Sequence, residues 1–213
     1  MCGIAGAIGF ADQEVMEAVE RMSDALVHRG PDGSGVWRSS ATIGGSGVVF
    51  AHRRLKIIDL SEGGRQPMVD PESGDVLLFN GEIYNYLELR RELEARKVRF
   101  RSESDSEVLL ASCRESGTTA LDALRGMFAF AWWNPRARRV LLARDRLGIK
   151  PLYWTVQTRM GQRVLLFASE VRVGLTWWFQ PLLRPQHSAP FSDGLMRRRT
   201  PFRLEDYAAM VLI

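Results

Sequence analysis

At 213 residues, 46% of them hydrophobic and 25% charged, the chain has the apolar content of one generous globular domain, which excludes a disordered or low-complexity polypeptide. Its 29 basic and 25 acidic residues give a net charge of +4 without a basic stripe, so no nucleic-acid partner is expected. No run approaches the roughly 18 apolar residues of a membrane span and no basic leader precedes the apolar start, so a cytoplasmic protein with no membrane partner is expected.

Cys2 to Phe10 reads as a β-strand of small residues, Gly3, Ala5, Gly6 and Ala7, which admits other backbone close to the terminus. Val15, Val19, Met22 and Leu26 then recur at helical steps and predict an amphipathic helix over 13–28. It runs into His28-Arg29-Gly30-Pro31-Asp32-Gly33-Ser34-Gly35, a loop whose three glycines and proline force irregular backbone and whose His-Arg-Gly-Pro-Asp order points to support of a site. Residues 47–58 alternate into a strand with Arg53, Arg54 and Lys56 at its end. A short apolar strand, Val76 to Phe79, leads to Asn80-Gly81-Glu82 and on into a helix from Leu87 to Lys97, with Asn85 and Glu88 as its expected cap. Ser104 and Glu107 fit a capping box that opens a helix over 105–115, which leaves Asp105 to meet a ligand cation. Cys113 on that helix is expected to be a core thiol, and two cysteines make no disulfide framework. A short helix ending in Gly126 and strands at 127–133, 139–144, 152–156 and 164–168 complete an α+β order with stacked antiparallel sheets.

Cys2 is followed by glycine, and Met1 is expected to be clipped, leaving a thiol and an α-amine on one residue. The amine has a reference pKa of roughly 7.7–8.0 and the thiol about 8.5, so both titrate near working pH. The amine can therefore take the proton of its own side chain. Attack on an amide carbonyl also needs donors at the developing oxyanion, and the Asn80 amide beside Gly81 is suited to that. A free amino acid would need a cation for its carboxylate and acids for its ammonium, roles open to Arg54, Glu82 and Asp105. Spacing alone does not bring these positions together.

The segments CGIAG at 2–6, HRGPDGSG at 28–35, AHRRLKIIDLS at 51–61, QPM at 66–68, NGEIYN at 80–85, SDSE at 104–107, GMFAFAWW at 126–133 and RDRLGIKPLYW at 144–154 resemble the class II glutamine amidotransferase domain. More narrowly, they are similar to the glutamine-hydrolysing asparagine synthetases over residues 2–172. The resemblance implies an N-terminal-nucleophile hydrolase fold, an αββα sandwich of two antiparallel sheets between helices. It implies L-glutamine as substrate, Cys2 as nucleophile with its own amine as base, and Asn80 with Gly81 as oxyanion hole. Arg54 would hold the substrate carboxylate, Glu82 and Asp105 the ammonium, and backbone over Arg54, Leu55, Lys56, Ile57 and Ile58 would line the glutamine. No metal or cofactor is implied for this half.

Residues 173–213 depart from the family. There the family continues into a synthetase domain that uses ATP and Mg, with a Ser-Gly-Gly-x-Asp-Ser loop that has no counterpart in this tail. Lys56, Lys97 and Lys150 are the lysines among 29 basic residues, a bias of GC-rich coding DNA in which a wrong frame stays open. A frameshift or truncation near residue 173 is therefore expected. The alternative is a genuine tail ending in a helix over Leu204 to Leu212. Beside a working glutaminase, which would act with a separate synthetase domain or as a homodimer, two readings stay open: a glutamine-binding regulatory module and an inactive relic.

Overall fold

The small residues of the first strand, β1 (Gly3–Phe10), decide where everything else sits. The computed structural model describes residues 1–39, 46–56, 62–175, 200–204 and 207–212. A side chain at Gly6 would lie 2.5 Å from the Phe167 ring and 2.7 Å from the Val49 carbonyl, so only glycine lets the neighbouring strands close on β1. After β1 come helix α1 (Gln13–Ala25), capped by the Asp12 side chain on Val15 N–H, and strands β2 (Gly33–Arg38) and β3 (Ser46–Arg54). Strand β4 (Met68–Val69) precedes β5 (Val76–Ile83), and helices α2 (Tyr86–Ala95), α3 (Asp105–Ser116) and α4 (Ala120–Ala123) follow. Strands β6 (Gly126–Asn134), β7 (Arg139–Arg144), β8 (Tyr153–Arg159) and β9 (Gln162–Ala168) lead to helix α5 (Val171–Leu175). Strands β10 (Thr200–Leu204) and β11 (Tyr207–Leu212) come last.

The strands form two sheets, in the orders β2-β3-β1-β9-β8 and β10-β11-β7-β6-β5-β4. Period-two alternation stacks them. Ile4 and Ile8 of β1 face Val76 and Leu78 of β5 across a core that also takes in Phe50, Ala129, Leu142 and Phe167. The alternate residues turn outward: Ala7 packs with Val15 and Val19 of α1, while Leu77 and Phe79 pack with Leu89 and Leu93 of α2 and Val108 and Leu109 of α3. The order of layers is helix, sheet, sheet, helix. Cys113 is buried in the outer core, where burial pushes its thiol well above the usual range, as expected of a packing residue.

Five local expectations are corrected. The loop expected over 28–35 ends at Asp32, because Gly33, Ser34 and Gly35 pair with Arg54, Arg53 and His52 as the start of β2. The strand before Asn80 does not stop there; Asn80, Gly81 and Glu82 pair with Ala129, Phe128 and Met127 as part of β5, because the β6 partner overrides the turn preference of Asn-Gly. Asn85 stands at the start of α2 without capping it, since its amide instead donates to Ala123 O and accepts from Arg125 N–H. Ser104 does cap α3, but Glu107 binds Arg101 and Ser102 N–H and closes no box. Residues 207–212 are a strand and not a helix: they pair in parallel with Arg139 to Ala143 of β7, whose open edge offers unpaired backbone groups. That is the parallel exception in otherwise antiparallel sheets.

Candidate active site

Cys2 stands just ahead of β1, and the pairing of Gly3 with Arg53 sets it beside the end of β3. Leu55 N–H points at Cys2 Sγ at 3.4 Å, and Sγ lies 3.7 Å from Leu55 O. The 28–32 loop grips both strand ends. Arg29 donates from Nε to Cys2 O at 3.0 Å, Asp32 N–H donates to Arg54 O, and the Asp32 carboxylate accepts Lys56 N–H at 2.9 Å. A side chain at Gly30 would lie 2.6 Å from Arg54 N, so glycine is required for that approach. His28 and Arg29 meet at Glu170, with His28 Nε2 at 2.8 Å and Arg29 Nη1 at 3.1 Å. Partial burial raises the Glu170 carboxyl, but hydrogen bonds from His28 and Arg29 outweigh it and hold the group below its ordinary value. Pro31 is exposed and does not line the cleft.

The facing wall comes from the second sheet and the start of α3. Asn80 is 1% exposed, and its Nδ2 has no hydrogen-bond partner among the described residues. Buried donors are normally satisfied, so this orphan amide marks a place where a ligand acceptor fits. A side chain at Gly81 would collide with the Met127 carbonyl and lie 2.7 Å from Phe128 Cα. Asp105 accepts Ile83 N–H at 3.0 Å; burial pushes its carboxyl up to about 6, opposed by its backbone hydrogen bonds and reinforced by nearby Glu82. Two carboxylates side by side at a cleft suit an ammonium ligand.

Between the walls is a cleft of about 100 Å³, lined by Cys2, Arg54, Leu55, Asn80, Gly81, Glu82 and Asp105 together. Lys56 does not line it; its backbone is held by Asp32 instead. Ile57 and Ile58 lie outside the described residues. The structure adds His52, Gln66 and Lys150, which stood unremarked inside conspicuous sequence segments. Burial lowers the His52 imidazole to about 4, Phe79 O opposing and Arg54 reinforcing, so the ring is neutral and donates from Nε2 to Phe79 O. Gln66 accepts Phe79 N–H at 2.6 Å and donates to Ser106 Oγ at 3.2 Å, tying β5 to α3 behind the cleft.

A larger cavity of about 550 Å³ lies on the far side of α3. Its Asp70 and Glu115 are paired with Arg114, and Glu107 accepts backbone N–H groups, so three of its four acids are already satisfied. It holds no thiol. The smaller cleft is where reactive groups converge. Among the described residues no group of three His, Cys, Asp or Glu side chains is placed to hold a metal, and no helix is long and apolar enough to cross a membrane.

Comparisons with known proteins bear on the family and the fold. Among curated relatives, asparagine synthetase [glutamine-hydrolyzing] 3 of Bacillus subtilis is 44% identical over 176 residues, which is 81% of this chain and 27% of that protein. Asparagine synthetase [glutamine-hydrolyzing] 1 of the same organism is 45% identical over 161 residues, 73% of this chain and 24% of the relative. Asparagine synthetase B [glutamine-hydrolyzing] of Escherichia coli is 40% identical over 155 residues, 72% and 26% respectively. The chain thus spans about a quarter of the length of the curated relatives it matches. Among solved structures, the glutamine phosphoribosylpyrophosphate amidotransferase of B. subtilis superposes with a TM-score of 0.64 at 20% identity over 81% of this chain and 43% of its own, a likeness of fold. The profile of the glutamine amidotransferase domain matches residues 1–181, and the chain belongs to that family.

Proposed function

We propose that the protein hydrolyses L-glutamine to glutamate and ammonia, with Cys2 as nucleophile once Met1 is removed. The observation that carries the reading is the convergence of Cys2 Sγ and the orphan Asn80 amide in one cleft, with Arg54 on one wall and Glu82 and Asp105 on the other. Arg54 takes the substrate α-carboxylate and the two acids its ammonium, which fixes the side-chain amide against the thiol. The Cys2 α-amine accepts the thiol proton, and the thiolate attacks the amide carbon. Asn80 Nδ2 and the Gly81 backbone receive the oxyanion. The protonated amine passes its proton to the leaving nitrogen as the C–N bond breaks, giving ammonia and a thioester. Water, deprotonated by the same amine, then attacks the thioester and releases glutamate.

The relatives' names support a use for the ammonia in ATP-dependent asparagine synthesis, which needs a synthetase domain on this chain's own continuation or on a partner. ATP and Mg belong to that synthetase chemistry and not to the cleft at Cys2. A need for ATP supports a cytoplasmic location. The 28–32 loop acts as the brace that keeps Cys2, Arg54 and Leu55 in register.

The test is ammonia release from glutamine by the 213-residue protein, its loss of Met1 established by intact mass, beside a Cys2→Ala control. Release that the control abolishes is expected. Glutamine binding without release from Met1-free protein would overturn the hydrolase reading in favour of a binding module.

A further inference from the structure

The turn from Asp145 to Lys150, between β7 and β8, is wired more heavily than a connector needs. Buried Asp145 accepts Leu147 and Ile149 N–H through Oδ1, and Phe128 and Lys150 N–H through Oδ2. Arg144 closes the turn from the other side, donating from Nε to Lys150 O at 2.7 Å and from Nη2 to Gly148 O. The result inverts the usual placement of residues. Leu147 is 85% exposed and Ile149 51% exposed, while Lys150 is 6% exposed and lines the Cys2 cleft. Its ammonium donates to Met1 Sδ at 3.3 Å, a weak acceptor, and no carboxylate pairs with it among the described residues. The turn thus sets a lysine side chain in the cleft that Glu82 and Asp105 also line.

We propose that Lys150 is a positioning residue for the Cys2 nucleophile: when Met1 leaves, the lysine loses its thioether partner and becomes a fixed positive charge beside the new N-terminus. This rests on the glutaminase reading above. The Met1 sulfur is five bonds from the Cys2 nitrogen, so bond lengths alone keep the ammonium within about 10 Å of that amine. Inside a cleft walled by protein, that distance is not screened away. A cation there disfavours the protonated amine and favours the thiolate, which is the pair of states the first step needs. Arg29 on the Cys2 carbonyl and Arg54 push the same way, Glu82 and Asp105 on the facing wall oppose, and neutral His52 does neither. Lys150 differs from these in being masked by the residue that processing removes.

The experiment is the rate of Cys2 alkylation by iodoacetamide against pH, on Met1-free protein without glutamine. Cys113 is fully buried and does not compete. In Lys150→Met and Lys150→Gln the inflection should move up by about 0.5–1 pH unit, and in Lys150→Arg it should stay in place. The acid limb of kcat/KM for glutamine should move with it. The methionine variant keeps an unbranched stem in the buried channel, so it gives an answer if the glutamine variant fails to fold. Superimposable profiles would overturn the proposal, as would an arginine variant displaced as far as the methionine one. A raised KM for glutamine with an unmoved alkylation profile would also overturn it, by making Lys150 a substrate contact. Because alkylation needs no turnover, a chain that releases no ammonia fails the glutaminase reading by a readout separate from the alkylation profile, so the two failures are told apart.

Discussion

The two walls of the cleft are held in place by different means. On the first sheet the reactive residues sit at strand ends, gripped from outside: Arg29 holds the Cys2 carbonyl and Asp32 the backbone of Arg54 and Lys56. On the second sheet Asn80, Gly81 and Glu82 sit inside a continuous ladder with β6 and cannot shift without breaking it. A strand end leaves room for adjustment; the interior of a strand does not. In the proposed function the nucleophile settles after Met1 is removed, which a clamped wall suits. The proposed oxyanion donor must be aimed before charge develops, a demand that the laddered wall suits.

Breaking the laddered wall should have the largest effect. Asn80→Ala is expected to lower kcat by about 10²–10³ while leaving stability unchanged or slightly higher, because the amide removed carries an unsatisfied buried donor. Urea denaturation beside steady-state ammonia release separates the two quantities. A stability loss above ~2 kcal/mol with little change in kcat would make Asn80 a strut and erase the contrast between the walls.

Asp105→Asn sharpens the same point with an intermediate effect. The folded carboxyl titrates at about 6, above its ordinary value, so the native state binds the extra proton between roughly pH 4 and 6. Stability contributed by that proton is full below the ordinary pKa and is lost as pH rises through 6. The amide keeps an acceptor for Ile83 N–H and removes the buried charge, so at pH 7 it should add about 1–3 kcal/mol. The gain should fade below about pH 4, and KM for glutamine should rise about tenfold. A gain over the native protein no larger at pH 7 than at pH 4 would contradict this assignment of the strain.

Much of the first sheet and helices α1 to α3 were legible: Val15, Val19 and Met22 recur at helical steps, cap signals mark the starts of α2 and α3, and small residues mark β1, whereas α5 carried no such signal. The site residues were named from motif order, since Asn80 and Cys2 are far apart in the chain and meet only through the stacking of two sheets. What the sequence hid was competition. Asn80-Gly81 is a turn signal until β6 pairs with it, and Glu107 completes a capping box until the Arg101 and Ser102 amides claim its carboxylate. Residues 207–212 lost their helix in the same way, to the open edge of β7. Each case has a local preference of about a kcal/mol meeting several tertiary contacts at once.

The smallest effect is expected on the clamped wall, and it tests whether a clamp of polar contacts behaves as one. Glu170, just after β9, receives both His28 and Arg29, and Arg29 in turn holds the Cys2 carbonyl. Its carboxyl is held below the ordinary value, so the stability it contributes is present above the unfolded pKa and is lost as pH falls through the folded one. The site is partly open to water, which limits the whole contribution to about 1 kcal/mol. Glu170→Gln should therefore cost about that much at pH 7 and progressively less as pH falls below the ordinary carboxylate range, read as the difference in melting curves. Because Arg29 keeps its bond to Cys2 O in the variant, kcat should fall only about threefold, with KM unchanged. A fall of a hundredfold would mean that the clamp is as rigid as the ladder, and the distinction between the two walls would then rest on their topology alone.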